Sequence, residues 1–145
     1  MRRTLIPLAV ACVLAGCGGK SEAEKEREAA AKGGRGTVTC DGSAMSGSTG
    51  LPVDFPGIDG LTFVKSEKNG PTQTVDGYAN EGLKDLYEAY QSGFNDAGYT
   101  ILFDEREEDD AEISYRSKDA GSTGIVALRS CDEDKTSVHI TNRPS

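Results

Sequence analysis

The sequence has few of the residues on which enzymes most often rely. Its 145 residues include one histidine, four cysteines and no tryptophan. It contains no Gly-x-Ser-x-Gly nucleophile elbow, no phosphate-binding loop, no dinucleotide fingerprint and no Cys-x-x-Cys pair. No cofactor and no metal are therefore expected, and the chain gives no motif for an oxidoreductase or a nucleotide-binding enzyme.

Basic residues are also scarce, since 16 lysines and arginines stand against 24 aspartates and glutamates. Nucleic-acid binding requires a basic surface that neutralises phosphates, so a nucleic-acid partner is not expected. Hydrophobic residues make up 36% of the chain, which predicts a modest core. The length allows one small domain.

The N-terminus combines a basic start with a short apolar run. Arg2 and Arg3 precede the mostly apolar stretch 5–15, which is too short to cross a bilayer and is typical of a secretory signal. The run ends in Leu14-Ala15-Gly16-Cys17. This tetrapeptide resembles the lipobox of bacterial lipoproteins, which consists of an aliphatic residue, a small residue, glycine or alanine, and cysteine.

The resemblance implies a specific maturation. In lipoproteins the cysteine thiol receives a diacylglyceryl group, the preceding peptide is cleaved, and the new amino group is often acylated. Here residues 1–16 would be the signal peptide, and Cys17 would carry the lipid. Two or three acyl chains give stable membrane anchoring, which predicts a protein held on the extracytoplasmic side of the cell membrane or outer membrane.

Residues 17–50 are predicted to connect the lipid to the domain. The stretch 21–32 reads SEAEKEREAAAK and favours a helix, but it has no large apolar residues to bury. Residues 41–50 are rich in glycine and serine and are typical of a flexible linker. The Gly-Ser-Thr-Gly sequence at 47–50 recurs at 121–124, and both copies are interpreted as turns.

Two cysteines remain for the mature domain if Cys17 is lipidated and Cys12 is removed with the signal peptide. Disulfides persist in exported proteins, so Cys40 and Cys131 are predicted to form a structural disulfide. Zinc sites usually need four ligands, which makes a metal site at these two cysteines a poor alternative.

The domain, residues 51–145, is predicted to be α+β. Two strand patterns at 61–65 and 72–78 precede a helix with an N-cap at Asn80 and an end at Gly98. Four further strand patterns follow, around 99–103, 113–115, 125–128 and 138–140. The order β-β-α-β-β-β-β with short connections predicts an antiparallel meander sheet with one helix packed on one face. One apolar stripe defines that helix: Leu83, Leu86, Tyr87, Tyr90, Phe94 and Ala97.

The domain is predicted to be a non-catalytic binding or structural domain. Two alternatives remain, an enzyme and a calcium-binding module. An envelope hydrolase would use His139 or the loop carboxylates of 104–110 and 132–134. Because His139 alternates with Val138 and Ile140, it is expected to be an exposed residue on the face away from the helix. A calcium-dependent module would use the same acidic runs, although they lack the spacing of a calcium loop.

Overall fold

The structure of the protein, a computed structural model, describes residues 38–119 and 121–144. This part of the chain forms six strands and one α-helix. In chain order they are β1 (Leu61–Asn69), β2 (Thr72–Ala79), α1 (Leu83–Asp96), β3 (Thr100–Arg106), β4 (Asp110–Arg116), β5 (Ser122–Asp132) and β6 (Lys135–Pro144).

The six strands form one antiparallel sheet in the order β1-β2-β6-β5-β4-β3. Strands β3 to β6 follow one another as a meander, and the β1–β2 hairpin joins this meander at β6. The predicted α+β fold, with one helix on an antiparallel sheet, is confirmed. Strands β1 and β3 are the two edges of the sheet.

Helix α1 buries its predicted apolar stripe against the sheet, with Leu83, Leu86, Tyr90 and Phe94 as its buried residues. The helix was predicted to end at Gly98 and ends slightly earlier, at Asp96 with Ala97 as its C-cap; Gly98 follows with a positive φ of 76°, which suits glycine after a helix C-terminus. The predicted N-cap was wrong, because Gly82 occupies that position and Asn80 ends up outside the helix. Among the residues that the structure describes, no side chain caps the first turn.

The core lies between α1 and one face of the sheet. Aromatic rings from the helix and the sheet meet there, and the rings of Phe94 and Tyr115 are stacked with their centroids 4.6 Å apart. Phe55 closes one end, because its ring contacts both of these rings edge-on at 5.6 Å. We call the opposite face of the sheet, which α1 does not cover, the back face.

Several boundaries differ from the sequence-based prediction. The acidic run 104–110 is mostly strand, since β3 extends to Arg106 and β4 begins at Asp110. The second Gly-Ser-Thr-Gly sequence was wrongly interpreted as a turn, because β5 begins at Ser122 and includes Gly124. Glycine is depleted in strands, so composition alone suggested a turn where the ladder with β4 and β6 imposes a strand.

The hydroxyl of Tyr90 is buried in the core without a hydrogen-bond partner among the described residues. Burial also raises the pKa of this phenol, since no charge can be accommodated there. Replacing Tyr90 by phenylalanine removes a desolvated polar group, so we expect the free energy of unfolding to rise by about 1 kcal/mol. Urea denaturation followed by circular dichroism measures the change.

Tyr115 provides the matched control, because its buried hydroxyl donates to Asn142 Oδ1 at 3.0 Å. Tyr115→Phe leaves that amide unpaired and should lower the free energy of unfolding by about 1–3 kcal/mol. A loss of the same size in Tyr90→Phe would mean that the Tyr90 hydroxyl has a stabilising partner.

Candidate functional site: the back face of the sheet

A hydrogen-bonded carboxylate and imidazole lie in the middle of the back face. Asp76 on β2 and His139 on β6 are cross-strand partners, and Asp76 Oδ1 lies 2.6 Å from His139 Nδ1. On the other side of the ring, His139 Nε2 lies 3.4 Å from the hydroxyl oxygen of Thr141. The pair connects the β1–β2 hairpin to the meander.

His139 points away from α1, as the strand alternation predicted, but it is not the exposed residue that the sequence suggested. The His139 side chain is 16% exposed and that of Asp76 is 9% exposed. Buried polar groups need hydrogen-bond partners, and Asp76 and His139 are hydrogen-bonded to each other. The structure therefore brings together two of the three groups that a hydrolase would need, with a threonine hydroxyl near the third position.

The predicted disulfide between Cys40 and Cys131 is confirmed. Its two Cα atoms are 5.9 Å apart, and its cysteines are 91 positions apart in the sequence. The disulfide attaches residues 38–50, which we call the N-terminal segment, to the end of β5. The part of the predicted linker that the structure describes is thus connected to the domain.

The N-terminal segment crosses the back face from β5 towards β1. The amide of Thr39 donates to Ser137 Oγ at 2.7 Å, and the hydroxyl of Tyr78 donates to the carbonyl of Gly42 at 3.2 Å. The amide of Met45 then donates to the carbonyl of Phe63 at 2.7 Å. The segment therefore lies beside the Asp76–His139 pair and ends along β1, so that this edge of the sheet is partly occupied.

The other half of the back face carries an exposed apolar area, which we call the β3 patch: Leu102, Phe103, Ile125 and Ala127. Leu102 and Phe103 are 47% and 50% exposed, and Ile125 and Ala127 are half-buried. Leu102 is the extra residue of a bulge, since the pairing with β4 shifts between Ile101 and Phe103. The hydrogen bonds of the N-terminal segment described above go to the opposite half of the face.

Carboxylates adjoin the β3 patch. Glu105 on β3 lies directly opposite Glu112 on β4, and Asp110 lies two residues from Glu112. Burial raises the pKa of Glu112, and the charges of Glu105 and Asp110 raise it further. The charges of Asp110 and Glu105 likewise raise the pKa of Glu107. Like charges directly opposite each other destabilise a strand pair. Ionisation of these neighbouring carboxylates therefore opposes folding at neutral pH.

The two acidic turns meet at one end of the sheet. Glu108 and Asp109 from the β3–β4 turn line a groove of about 640 Å³ together with Asp132, Glu133 and the start of α1. Within residues 38–119 and 121–144, no three histidine, cysteine, aspartate or glutamate side chains are grouped so that they could hold a metal ion. The groove therefore adds no observation in favour of the calcium alternative.

Sequence reasoning missed Asp76 and the β3 patch. A single carboxylate inside the predicted strand 72–78 was a signal for Asp76, because strand interiors rarely carry an unpaired charge. Its partner could not be identified, since Asp76 and His139 are 63 positions apart in the sequence. Strict alternation with Tyr99 and Ile101 would place Phe103 on the core face, but the bulge at Leu102 moves it to the back face.

The lipobox Leu14-Ala15-Gly16-Cys17 and the signal peptide lie outside the described residues. Across the described part of the chain, no helix combines the length and the apolar character needed to cross a bilayer. Comparisons of the sequence with protein-family models and curated proteins, and of the fold with solved structures, give no match.

Proposed function

We propose that this chain is a lipid-anchored protein of the bacterial cell envelope whose domain binds a partner there. The observation that supports export is the Cys40–Cys131 disulfide, because such bonds persist outside the reducing cytoplasm. The lipobox then supplies the anchor at Cys17. The membrane is contacted through the lipid, and the partner is an envelope protein or ligand.

The uncovered part of the back face supports a binding role. Large apolar side chains that remain exposed together on a small domain often mark an interaction site. Leu102 and Phe103 fit this description, and they lie on β3, which is paired with β4. A strand surface positions its side chains more accurately than a loop does, which suits recognition.

Cell fractionation of cysteine variants tests the anchor. Cys17→Ala should prevent lipid attachment, so the protein should remain unprocessed or appear in the soluble fraction, and globomycin should likewise block cleavage of the parent. Cys12→Ala is the matched control, because Cys12 lies in the signal peptide and should be dispensable. If Cys17→Ala is processed and membrane-bound like the parent, the lipoprotein proposal fails.

Photo-crosslinking in cells tests the binding role. A photoreactive phenylalanine analogue at position 103 should give an adduct with a partner. The same analogue at position 53 is the control, since Val53 is fully exposed in a loop and is not on the back face. Equal adducts at both positions, or none at 103, would contradict a binding site at the β3 patch.

The Asp76–His139–Thr141 arrangement is the one observation that favours the hydrolase alternative. Acyl transfer also needs backbone or side-chain donors that stabilise an oxyanion beside the nucleophile. Thr141 lies in β6, which is paired with β2 and β5 on its two sides, so the neighbouring main-chain groups are used by the sheet. We therefore rank binding above hydrolysis, and a fluorophosphonate probe should not label Thr141.

A further inference from the structure

The two edges of the sheet differ in a way that bears on the partner. Along β1, the N-terminal segment donates from Met45 to Phe63, and the hydroxyl of Ser66 donates to the carbonyl of Thr49 at 2.6 Å. The outer edge of β3 pairs with no strand of the described chain. An unpaired edge offers main-chain N–H and C=O groups to an incoming extended segment.

The side chains of β3 determine what such a segment should contain. Phe103 and Glu105 are two positions apart, and each lies opposite a back-face residue of β4, Ser114 and Glu112 respectively. Side chains of a neighbouring strand have the same spacing of two. An added strand would therefore place one side chain beside the exposed Phe103 ring and the next beside Glu105.

We infer that the outer edge of β3 binds an extended basic segment of a partner protein, with an apolar side chain beside Phe103 and a lysine or arginine beside Glu105. This inference rests on the binding role proposed above and specifies its partner. The opposed carboxylates of Glu105 and Glu112 make a cation the complementary group.

The same charges disfavour a second copy of this chain as the occupant. Each of two copies paired along β3 would bring two acidic residues, Asp104 and Glu105, and one basic residue, Arg106, to the shared edge, so negative charge would be in excess there. Like charges on neighbouring strands of two copies suppress their association. A basic segment reverses the sign of that interaction.

A peptide-binding experiment on the purified chain in detergent tests the inference. The probe is a short, fluorescently labelled peptide in which leucine and lysine alternate, and its anisotropy reports binding. Phe103→Ser should weaken binding about tenfold, since the apolar contact is lost. Glu105→Gln should weaken it by a smaller factor and should reduce its dependence on salt.

Matched controls keep the result specific. Val53→Ser removes an exposed apolar residue in a turn outside the sheet and should leave the affinity unchanged. A peptide with glutamate in place of lysine should not bind, and a peptide with a central proline should bind weakly because proline cannot donate to a strand. Phe103 and Glu105 are exposed, so both variants should fold like the parent, which circular dichroism checks.

Three results would overturn the inference: no binding of the lysine peptide to the parent chain, equal affinity of Phe103→Ser, or equal binding of the glutamate peptide. Light scattering that shows a dimer lost in Phe103→Ser would identify a second copy as the occupant and would also overturn it. If position 103 gives a crosslinked adduct in cells but the lysine peptide does not bind, the inference of a basic segment is contradicted. The proposed binding role of the β3 patch is then still supported.

Discussion

Replacing both Cys40 and Cys131 by serine should lower the free energy of unfolding by up to about 4–5 kcal/mol, as expected for opening so long a loop. The loop that the disulfide closes spans 91 positions, and its removal frees the unfolded chain. The fold itself should persist, because the apolar contacts of α1 and the pairing of the six strands do not depend on this bond. Urea denaturation of the parent and the double variant measures the difference.

Two further measurements make this expectation specific. A reducing agent should lower the stability of the parent to that of the double variant and should leave the variant unchanged. Reduction should also speed the modification of His139 by diethyl pyrocarbonate, since the N-terminal segment lies beside it and the chain has one histidine. Mass spectrometry that finds free thiols at positions 40 and 131 in the exported protein would contradict the role assigned to the bond.

Gly124→Ala should be the most damaging substitution of a small residue in the described sheet. A methyl group at this position would overlap the carbonyl oxygen of Thr141 and the hydroxyl of Tyr115. The first is backbone of a central strand, and the second is held in the core by Asn142, so neither can move away easily. We expect a loss of about 3 kcal/mol in the free energy of unfolding, at the upper end of overpacking effects.

Gly121→Ala is the control for this substitution. The nearest atom to a methyl group there is Ser117 Oγ at 3.9 Å, which is an ordinary contact. The change should stay within about 0.5 kcal/mol, as is usual for substitutions at the surface. Similar losses in both variants would mean that overlap with Thr141 and Tyr115 is not the cause of the loss.

The elements with a clear apolar period could be predicted from the sequence. Six buried or half-buried positions at helical spacing defined α1, and Gly98 marked its end. Strand alternation placed Val138 and Ile140 in the core and His139 on the other face. These patterns work because burial on one face of an element repeats with the geometry of that element.

Features that depend on contacts between distant strands could not be predicted in this way. The pairing of Asp76 with His139 follows from β2 lying beside β6, and no local pattern encodes that neighbour. The bulge at Leu102 shifts the alternation of β3 by one residue, which turns Phe103 from an expected core residue into an exposed one. The path of the N-terminal segment is likewise fixed by the disulfide and by hydrogen bonds to Ser137, Tyr78 and Phe63.

The position of the disulfide has a mechanical consequence for a protein held at Cys17. If Cys17 carries the proposed lipid, the chain between Cys17 and Cys40 reaches at most about 80 Å when fully extended, which limits how far the domain can move from the membrane. Any pulling force along this tether enters the domain at Cys40 and passes through the disulfide into β5, an interior strand paired on both sides. Without the bond, the same force would act first on the hydrogen bonds of the N-terminal segment to Ser137, Tyr78 and Phe63, and then on β1 at the edge of the sheet.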